Sequence, residues 1–238
     1  MRTGLRQLEL DLINRISGFC VRKVVKMSDP TVLSFGDSLI RKSDLDILGS
    51  CQWLNDQIIG FFFEFCQNEK FQKNSFSFVG PEVTQFVKMV QQREIGIFLE
   101  PLDLTNKEAI FLAVNSNSDP GLAGGSHWSL LLFLKQSNQF LHFDSCTGSN
   151  NNNEAKVLAT KVCKFLSKDL RLHFSEVDVT QQINGYDCGI HCIVNAENIA
   201  DHLKAGKDIQ TLPKVDQPRI SKSRSELVKL IQSLSSKS

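Results

Sequence analysis

The chain has 238 residues, of which 41% are apolar and 22% are charged, and its formal net charge at pH 7 is +1. This length can form one large domain or two small ones, and the composition is ordinary for a soluble globular protein. The near-neutral charge lacks the basic excess typical of nucleic-acid binders. The longest mostly apolar stretches, 58–63 and 128–134, are too short to span a bilayer. We therefore predict neither a nucleic-acid partner nor a membrane partner.

The seven cysteines are odd in number and scattered along the chain. No secretory signal precedes them, so a disulfide framework is not expected. This pattern favours a reducing compartment, which predicts a cytoplasmic or nuclear location.

Residues 1–26 differ from the rest, since Leu5, Leu8, Leu12 and Ile16 recur at helical spacing among basic residues. Acidic residues interrupt this segment, which disfavours a signal peptide, although a transit peptide stays open. We interpret 1–26 as an extra amphipathic helix or a dispensable extension, and 27–238 as the folded domain.

Periodicity predicts both helices and strands after residue 27. In chain order the predicted elements are a helix at 53–70, a strand at 76–79, a helix opening at Pro81, strands at 109–114, 128–134 and 139–144, a helix near 158–166, a strand at 171–179, and helices at 188–203 and 226–234. The stretch 148–153 is predicted to be an asparagine-rich loop and 213–221 a connector. This mixed order predicts an α+β fold rather than a regular βαβ array.

The segment QINGYDCG at 182–189 carries the strongest chemical signal. Asn184-Gly185 is typical of a turn, and a helix is predicted to begin close to Cys188. The positive end of a helix macrodipole stabilises a thiolate, and Gly189 leaves the sulfur open to approach. A lone cysteine at a helix start is nevertheless more often a packing residue. A base is needed before Cys188 is a credible nucleophile.

Among the five histidines, His127 is the best candidate base, because it follows the glycine-rich run 121–126 and enters a strand. With Gln136 and Ser137 as a two-residue turn, residue 129 pairs with Asp144 and His127 pairs with residue 146. His127 and Asp144 are then diagonal neighbours on one face, where a carboxylate can hold an imidazole. A slip of one residue would separate them. The result is a triad in the order His, Asp, Cys.

Three further assignments stay open from the residues alone. The amide of Gln182 is a candidate oxyanion donor with the backbone N–H of Cys188, and Gln181 is its competitor. Cys188, His191 and Cys192 share a helical face and could bind zinc, but no second Cys/His pair at short spacing supplies further ligands. We therefore predict no metal.

The two tryptophans also admit two interpretations. Trp53 and Trp128 are either core residues or aromatic walls of a narrow slot beside the histidine. Asp56 is either a contact within that slot or the cap of the helix that follows Trp53.

Four motifs together resemble the Ulp/sentrin-specific cysteine protease family: WLND at 53–56, GSHWS at 125–129, FDS at 143–145 and QINGYDCG at 182–189. Four more stretches are similar to its small deneddylase branch: DP at 29–30, PEVTQF at 81–86, FLEPLDL at 98–104 and AGGSHWS at 123–129. The resemblance covers about 27–203. It implies a papain-like α+β fold of the rearranged Ulp type. It also implies a monomeric thiol protease without cofactors that cleaves after the Gly-Gly end of the neddylation modifier, in its precursor and in conjugates such as those of cullins.

The resemblance also implies a role for each residue. In it Cys188 is the nucleophile, His127 the base and then acid, Asp144 its orienter and Gln182 the oxyanion donor. The other implied roles are tunnel walls for Trp53 and Trp128, a contact with the modifier's tail for Asp56, and closure over substrate for the loop 117–125. The alternatives are a protease for SUMO or ubiquitin and a catalytically dead binder of ubiquitin-like tails.

Overall fold

The computed structural model describes residues 29–119, 124–149, 151–167 and 169–236. By its internal contacts the chain divides into Met1–Pro30 and Thr31–Ser238, and the second unit contains all of the helices and strands given below. The amphipathic helix predicted for 1–26 lies outside the described residues.

The second unit contains seven strands and seven α-helices among its described residues. The strands are β1 (Thr31–Phe35), β2 (Ser38–Arg41), β3 (Phe76–Val79), β4 (Ala109–Asn115), β5 (Trp128–Leu134), β6 (Gln139–Phe143) and β7 (His173–Val177). The helices are α1 (Lys42–Leu48), α2 (Asp56–Phe65), α3 (Pro81–Met89), α4 (Gly96–Leu99), α5 (Asn151–Leu166), α6 (Cys188–Lys204) and α7 (Gln217–Ser235). The mixture of a central sheet and helices confirms the predicted α+β class.

The central sheet has the strand order β3-β4-β5-β6-β7. Its three middle strands are antiparallel, and the outer strands β3 and β7 each run parallel to their neighbour. The first two strands form a separate antiparallel hairpin. The sheet is therefore mixed, with an antiparallel centre formed by β4, β5 and β6.

Both faces of this sheet are buried, and alternate residues of β4 show how. Ile110 and Leu112 belong to a core that includes apolar residues of α3 and α5, whereas Phe111 belongs to a core that includes residues of α2 and α6. Side chains in a strand point alternately to the two faces, so a strand covered on both sides is apolar at every position. This explains why β4 is apolar up to Asn115 and why β5 is apolar except at Ser129.

Several predicted helix boundaries are wrong for local reasons. The first long helix begins at Asp56 rather than residue 53, because Asn55 caps it by accepting from the backbone N–H of Ile58 at 3.0 Å. The predicted loop at 148–153 already contains the start of α5. The predicted connector at 213–221 contains the start of α7, where Asp216 accepts from the backbone N–H of Arg219. Both misplaced helix starts are polar, so apolar periodicity does not reveal them.

We expect Ile110→Ala to reduce the free energy of unfolding by about 2–5 kcal/mol, because it opens a cavity in a closely packed core. Ile110 is 0% exposed in the middle of β4, whereas Ile97 is 72% exposed. Ile97→Ala is the matched control and should change stability by no more than about 0.5 kcal/mol. Urea denaturation measures both variants, and equal losses would contradict this account of the core.

Candidate active site

Cys188 is the first residue of α6, and its side chain is almost completely buried at 1% exposure. Asp187 is the N-cap residue, and its carbonyl accepts the first helical hydrogen bond from His191. The sulfur therefore lies at the positive end of a 17-residue helix. Since Cys188 is so little exposed, only a thin group can reach the sulfur without a shift of its neighbours.

His127 and Asp144 are brought together by the pairing of β5 with β6. The ladder pairs Leu130 with Phe143 and Leu134 with Gln139, which confirms the predicted register. His127 stands directly before β5 and Asp144 directly after β6, and their atoms Nε2 and Oδ1 are 2.6 Å apart.

The carboxylate of Asp144 is itself fixed by two further donors. Its Oδ1 accepts from the backbone N–H of Cys146 at 2.9 Å, and its Oδ2 accepts from the hydroxyl of Ser149. Sequence reasoning missed Ser149, because nothing in the pattern of an asparagine-rich loop indicates that a hydroxyl turns back to the strand end. These bonds leave the carboxylate one orientation towards His127.

Charge stabilisation shifts the pKa values of this pair in opposite directions. Burial alone would lower the pKa of His127, but hydrogen bonds with Asp144 and Cys188 outweigh it and raise this pKa to about 10. Burial would raise the pKa of Asp144, but its hydrogen bonds from His127 and Ser149 lower it. Since Nε2 is taken by Asp144, Nδ1 is the ring nitrogen that is available to the thiol. This environment favours the charged imidazolium of His127 beside the ionised carboxylate of Asp144.

The two candidate oxyanion residues differ in how their amides are used. Gln181 donates from Nε2 to the carbonyls of Asp144 and Val179, and its Oε1 accepts two bonds from Thr147. Gln182 donates from Nε2 to the carbonyl of Asn184 at 2.8 Å. Within the described residues this bond uses one of the two N–H groups of the Gln182 amide, so the second is available to a ligand. Both N–H groups of the Gln181 amide are already used by the carbonyls of Asp144 and Val179.

Trp53, Asp56 and Trp128 all line one cleft of about 820 Å³. Trp128 is buried and donates from its indole to the carbonyl of Leu54 at 2.9 Å. Trp53 is 51% exposed and donates to the carbonyl of Gly185 at 2.6 Å, which ties it to the loop before Cys188. The exposed Trp53 is a wall of the cleft rather than a core residue.

Asp56 is not the helix cap, since that position belongs to Asn55. Its carboxylate accepts from the backbone N–H of Gln57 and faces the same cleft as the tryptophans. Of the loop at 117–125, residues 117–119 and 124–125 are described, and Asn117, Asp119 and both glycines line the cleft. Closure of that loop over a substrate stays a prediction.

Two glycines permit close approaches at the site. A Cβ on Gly189 would lie 2.8 Å from the Cβ of Leu54, so only glycine lets α6 meet this residue. Gly125 has a φ of +104°, and a Cβ there would lie 1.8 Å from Oδ1 of Asn115. Gly189 thus serves packing between two site segments, in addition to the open approach to sulfur that its sequence suggests.

The residues of the zinc alternative do not form a metal site. His191 is buried, and burial lowers its pKa to about 4. The thiol of Cys192 donates to the carbonyl of Ser129, and burial raises the pKa of this thiol. In the described part of the chain no group of three or more His, Cys, Asp or Glu side chains is placed to hold a metal ion. Also in that part, no helix is long and apolar enough to cross a membrane.

Comparison with known proteins agrees with this geometry. Residues 52–232 match the model of the Ulp1 protease family, C-terminal catalytic domain. Sentrin-specific protease 8 of Homo sapiens is 45% identical over 213 residues, which are 88% of this chain and 100% of that protein. NEDD8-specific protease 1 of Arabidopsis thaliana is 36% identical over 180 residues, which are 75% of this chain and 79% of that protein.

A solved structure of similar fold is the C-terminal Ulp1 protease domain in complex with Smt3, the yeast orthologue of SUMO. It has a TM-score of 0.67 and 19% identity, over 87% of this chain and 89% of that one. At this identity the likeness concerns the fold, and it confirms the predicted papain-like arrangement of the Ulp type.

We expect Asp144→Asn to reduce the free energy of unfolding most near pH 6 and least near pH 10. A raised pKa of His127 stabilises the fold fully below its ordinary value of 6.5, and this stabilisation is lost as the pH rises through about 10. The lowered pKa of Asp144 contributes stability that is present above its ordinary value of 3.8 and is lost at more acidic pH, so this contribution stays constant between pH 6 and pH 10. Denaturation of wild type and variant across this range measures the difference.

Asp178→Asn is the matched control, because Asp178 pairs with Lys214 on the surface, where its side chain is 85% exposed. Its effect should be small at every pH. A penalty of Asp144→Asn that stays constant or grows from pH 6 to pH 10 would contradict the coupling of His127 to Asp144.

Proposed function

The chain belongs to the Ulp1 protease family, and from this membership we propose that it is a NEDD8-specific thiol protease that cleaves after the C-terminal Gly-Gly of the modifier. The observation that carries the proposal is the 2.6 Å pair of His127 and Asp144 beside a cysteine at the start of α6. A binder of ubiquitin-like tails would need the cleft but not this pair. The intact pair therefore favours an enzyme over a dead binder.

In this proposal the thiolate of Cys188 attacks the carbonyl carbon of the terminal glycine. The carbonyl oxygen becomes an oxyanion, which accepts from the free N–H of Gln182 and the backbone N–H of Cys188. His127 then gives its proton to the leaving nitrogen as the C–N bond breaks, and a thioester remains. Water then attacks the thioester carbonyl while His127 takes one of its protons, and the C–S bond breaks. The modifier leaves with a free carboxyl terminus, and the Cys188 thiolate is restored beside protonated His127.

The Gly-Gly requirement follows from how thin the approach to the sulfur is. Trp53 and Trp128 line the cleft, and Cys188 is 1% exposed. In this proposal a chain without side chains reaches the buried sulfur from the cleft, so exclusion of larger residues selects glycine. Asp56 lines the same cleft and is placed to contact the tail that leads to these glycines.

The choice of NEDD8 rests on the relatives rather than on the cleft. Two homologues match most of this chain. One is named NEDD8-specific protease 1 and is 36% identical, and the other is named sentrin-specific protease 8 and is 45% identical. SUMO is the second candidate, because the similar Ulp1 domain was solved with a SUMO orthologue. Cullin conjugates as targets, a monomeric state and a cytoplasmic or nuclear location are parts of this proposal.

A panel of modifier probes tests nucleophile and substrate together. Each probe carries an electrophile in place of the scissile bond of NEDD8, SUMO or ubiquitin. We expect NEDD8 to label wild type at least 10-fold faster than the others, and Cys188→Ala to be neither labelled nor active on a NEDD8 fusion. Cys192→Ala is the control cysteine variant, because its thiol is buried behind the site, and it should still be labelled.

Each other outcome has a defined meaning. Equal labelling by the SUMO probe would refute the NEDD8 assignment, but the assignment as a thiol protease would stand. Cleavage by Cys188→Ala would refute the nucleophile. Binding of NEDD8 without labelling or turnover would identify a binder of ubiquitin-like tails.

We expect Gln182→Ala to lower kcat by about 10²–10³-fold with little change in KM, because it removes a donor that acts only on the oxyanion. Gln181→Ala is the neighbouring control, since its amide holds the turn after β6. It should lower stability more than kcat. A larger fall in kcat for Gln181→Ala than for Gln182→Ala would reverse the two assignments.

A further inference from the structure

We propose that Arg224, in the C-terminal helix α7, is a positioning residue that holds the oxyanion loop, defined here as residues 182–187, in its catalytic shape. The inference deepens the function proposed above and rests on it. Arg224 lies outside the four motifs that carry the resemblance to the family. Its role is to support groups that touch the substrate, not to touch the substrate itself.

The guanidinium of Arg224 makes four hydrogen bonds, all of them with segments next to the site. Nε donates to Oδ1 of Asp187 at 2.8 Å, and Nη2 donates to the carbonyl of Tyr186 at 3.3 Å. Nη1 donates to the carbonyl of Ile47 at 3.0 Å, and Nη2 also donates to that of Gln52 at 2.8 Å. The side chain is 14% exposed, so these bonds are largely shielded from water.

From Asp187 the contacts continue to the proposed oxyanion donor. Oδ2 of Asp187 accepts from Nδ2 of Asn184 at 2.8 Å. Oδ1 of Asn184 accepts from the backbone N–H groups of Tyr186 and Asp187, and the carbonyl of Asn184 accepts from Nε2 of Gln182. An unbroken series of hydrogen bonds therefore runs from Arg224 to the amide that is proposed to meet the oxyanion.

Asp187 is the N-cap of the nucleophile's helix, yet its carboxylate caps no helical N–H. Both of its oxygens are used instead by Arg224 and Asn184. A carboxylate beside a thiolate would repel it if left alone, and the Arg224 cation balances this charge. Arg224 thus makes an acidic residue tolerable directly before Cys188.

Arg224 also joins this loop to the tryptophan wall of the cleft. Ile47 and Gln52 belong to the segment that leads into Trp53, and the Trp53 indole donates to the carbonyl of Gly185. One planar guanidinium therefore connects the oxyanion loop with the segment that precedes Trp53. A lysine offers a point charge without this fork, so it can replace only part of the set.

The same helix supplies a matched control, Arg219. It binds Oε2 of Glu197 at 2.8 Å and Oδ1 of Asn198 at 3.2 Å, both in the middle of α6. Arg219 and Arg224 thus both hold α7 to neighbouring segments by buried or half-buried polar contacts. Only Arg224 reaches the oxyanion loop.

The experiment measures kcat, KM and melting temperature for Arg224→Gln, Arg224→Lys and Arg219→Gln on a NEDD8 fusion. A displaced reacting group can lower the rate by about 10²-fold, so we expect kcat of Arg224→Gln to fall about 10-fold to 100-fold with KM within 2-fold. Arg224→Lys should recover part of the rate. Arg219→Gln should lower the melting temperature without lowering kcat.

A second readout separates positioning from general loss of structure. A NEDD8 aldehyde adds the Cys188 thiol to form a hemithioacetal, whose oxygen occupies the oxyanion position, whereas free NEDD8 binds as a product. We expect Arg224→Gln to lower the affinity for the NEDD8 aldehyde by the same factor as kcat. Its affinity for free NEDD8 should be unchanged. If Arg224→Gln does not fold, Arg224→Lys is judged by the same two affinities.

The outcomes distinguish this inference from the proposed function. If wild type does not cleave the NEDD8 fusion, the proposed function fails. If wild type cleaves it but the Arg224 variants keep the wild-type kcat, or lose aldehyde and product affinity alike, the inference fails. An equal fall in kcat for Arg219→Gln would also overturn it.

Discussion

The antiparallel pairing of β5 with β6 is the constraint on which the site depends. Because His127 directly precedes one strand and Asp144 directly follows the other, the ladder alone decides whether their side chains meet. The pairing is held by burial on both faces, since every residue of β5 is buried. A slip by one residue would turn each of these side chains to the opposite face, so the alternative register is much less stable. The hydrophobic core thus fixes the strand register, and the register places His127 and Asp144 within hydrogen-bonding distance.

The nucleophile reaches this pair through packing of α6 on the same strand. The thiol of Cys192, one turn along the helix from Cys188, donates to the carbonyl of Ser129 in β5. Gly189 lets the start of the helix approach Leu54, from the segment that carries Trp53. A single helix start is therefore located by β5 on one side and by the cleft wall on the other. The site is preorganised because Leu54, Trp128 and Cys188 belong to the same hydrophobic core.

Sequence reasoning reached the strand register because its signals are local. Two apolar runs flank a polar turn, and Asn138 adopts the left-handed conformation that the turn needs, with a φ of +52°. Apolar periodicity missed the start of α7, because Ile220 is the first buried apolar residue and the next, Leu227, lies seven residues later. The signals that mark this start are the N-cap Asp216 and Pro218 in the first turn. The contacts of Arg224 were still harder to predict from the sequence, since two of its partners, Ile47 and Gln52, are 177 and 172 residues away in the chain. Chemistry that depends on such pairs requires coordinates, whereas motif chemistry around Cys188 does not.

The last helix also returns to the first strand of the folded unit. Ser235 donates from its hydroxyl to the carbonyl of Val32 at 2.7 Å, and the two residues are 203 positions apart. Because domains emerge from the ribosome with their N-terminal part first, β1 can contact α7 only after almost the whole folded unit has been synthesised. The cysteine, histidine and aspartate are all translated earlier than α7. Nascent chains therefore carry the side chains of Cys188, His127 and Asp144 before they carry the helix that contacts β1.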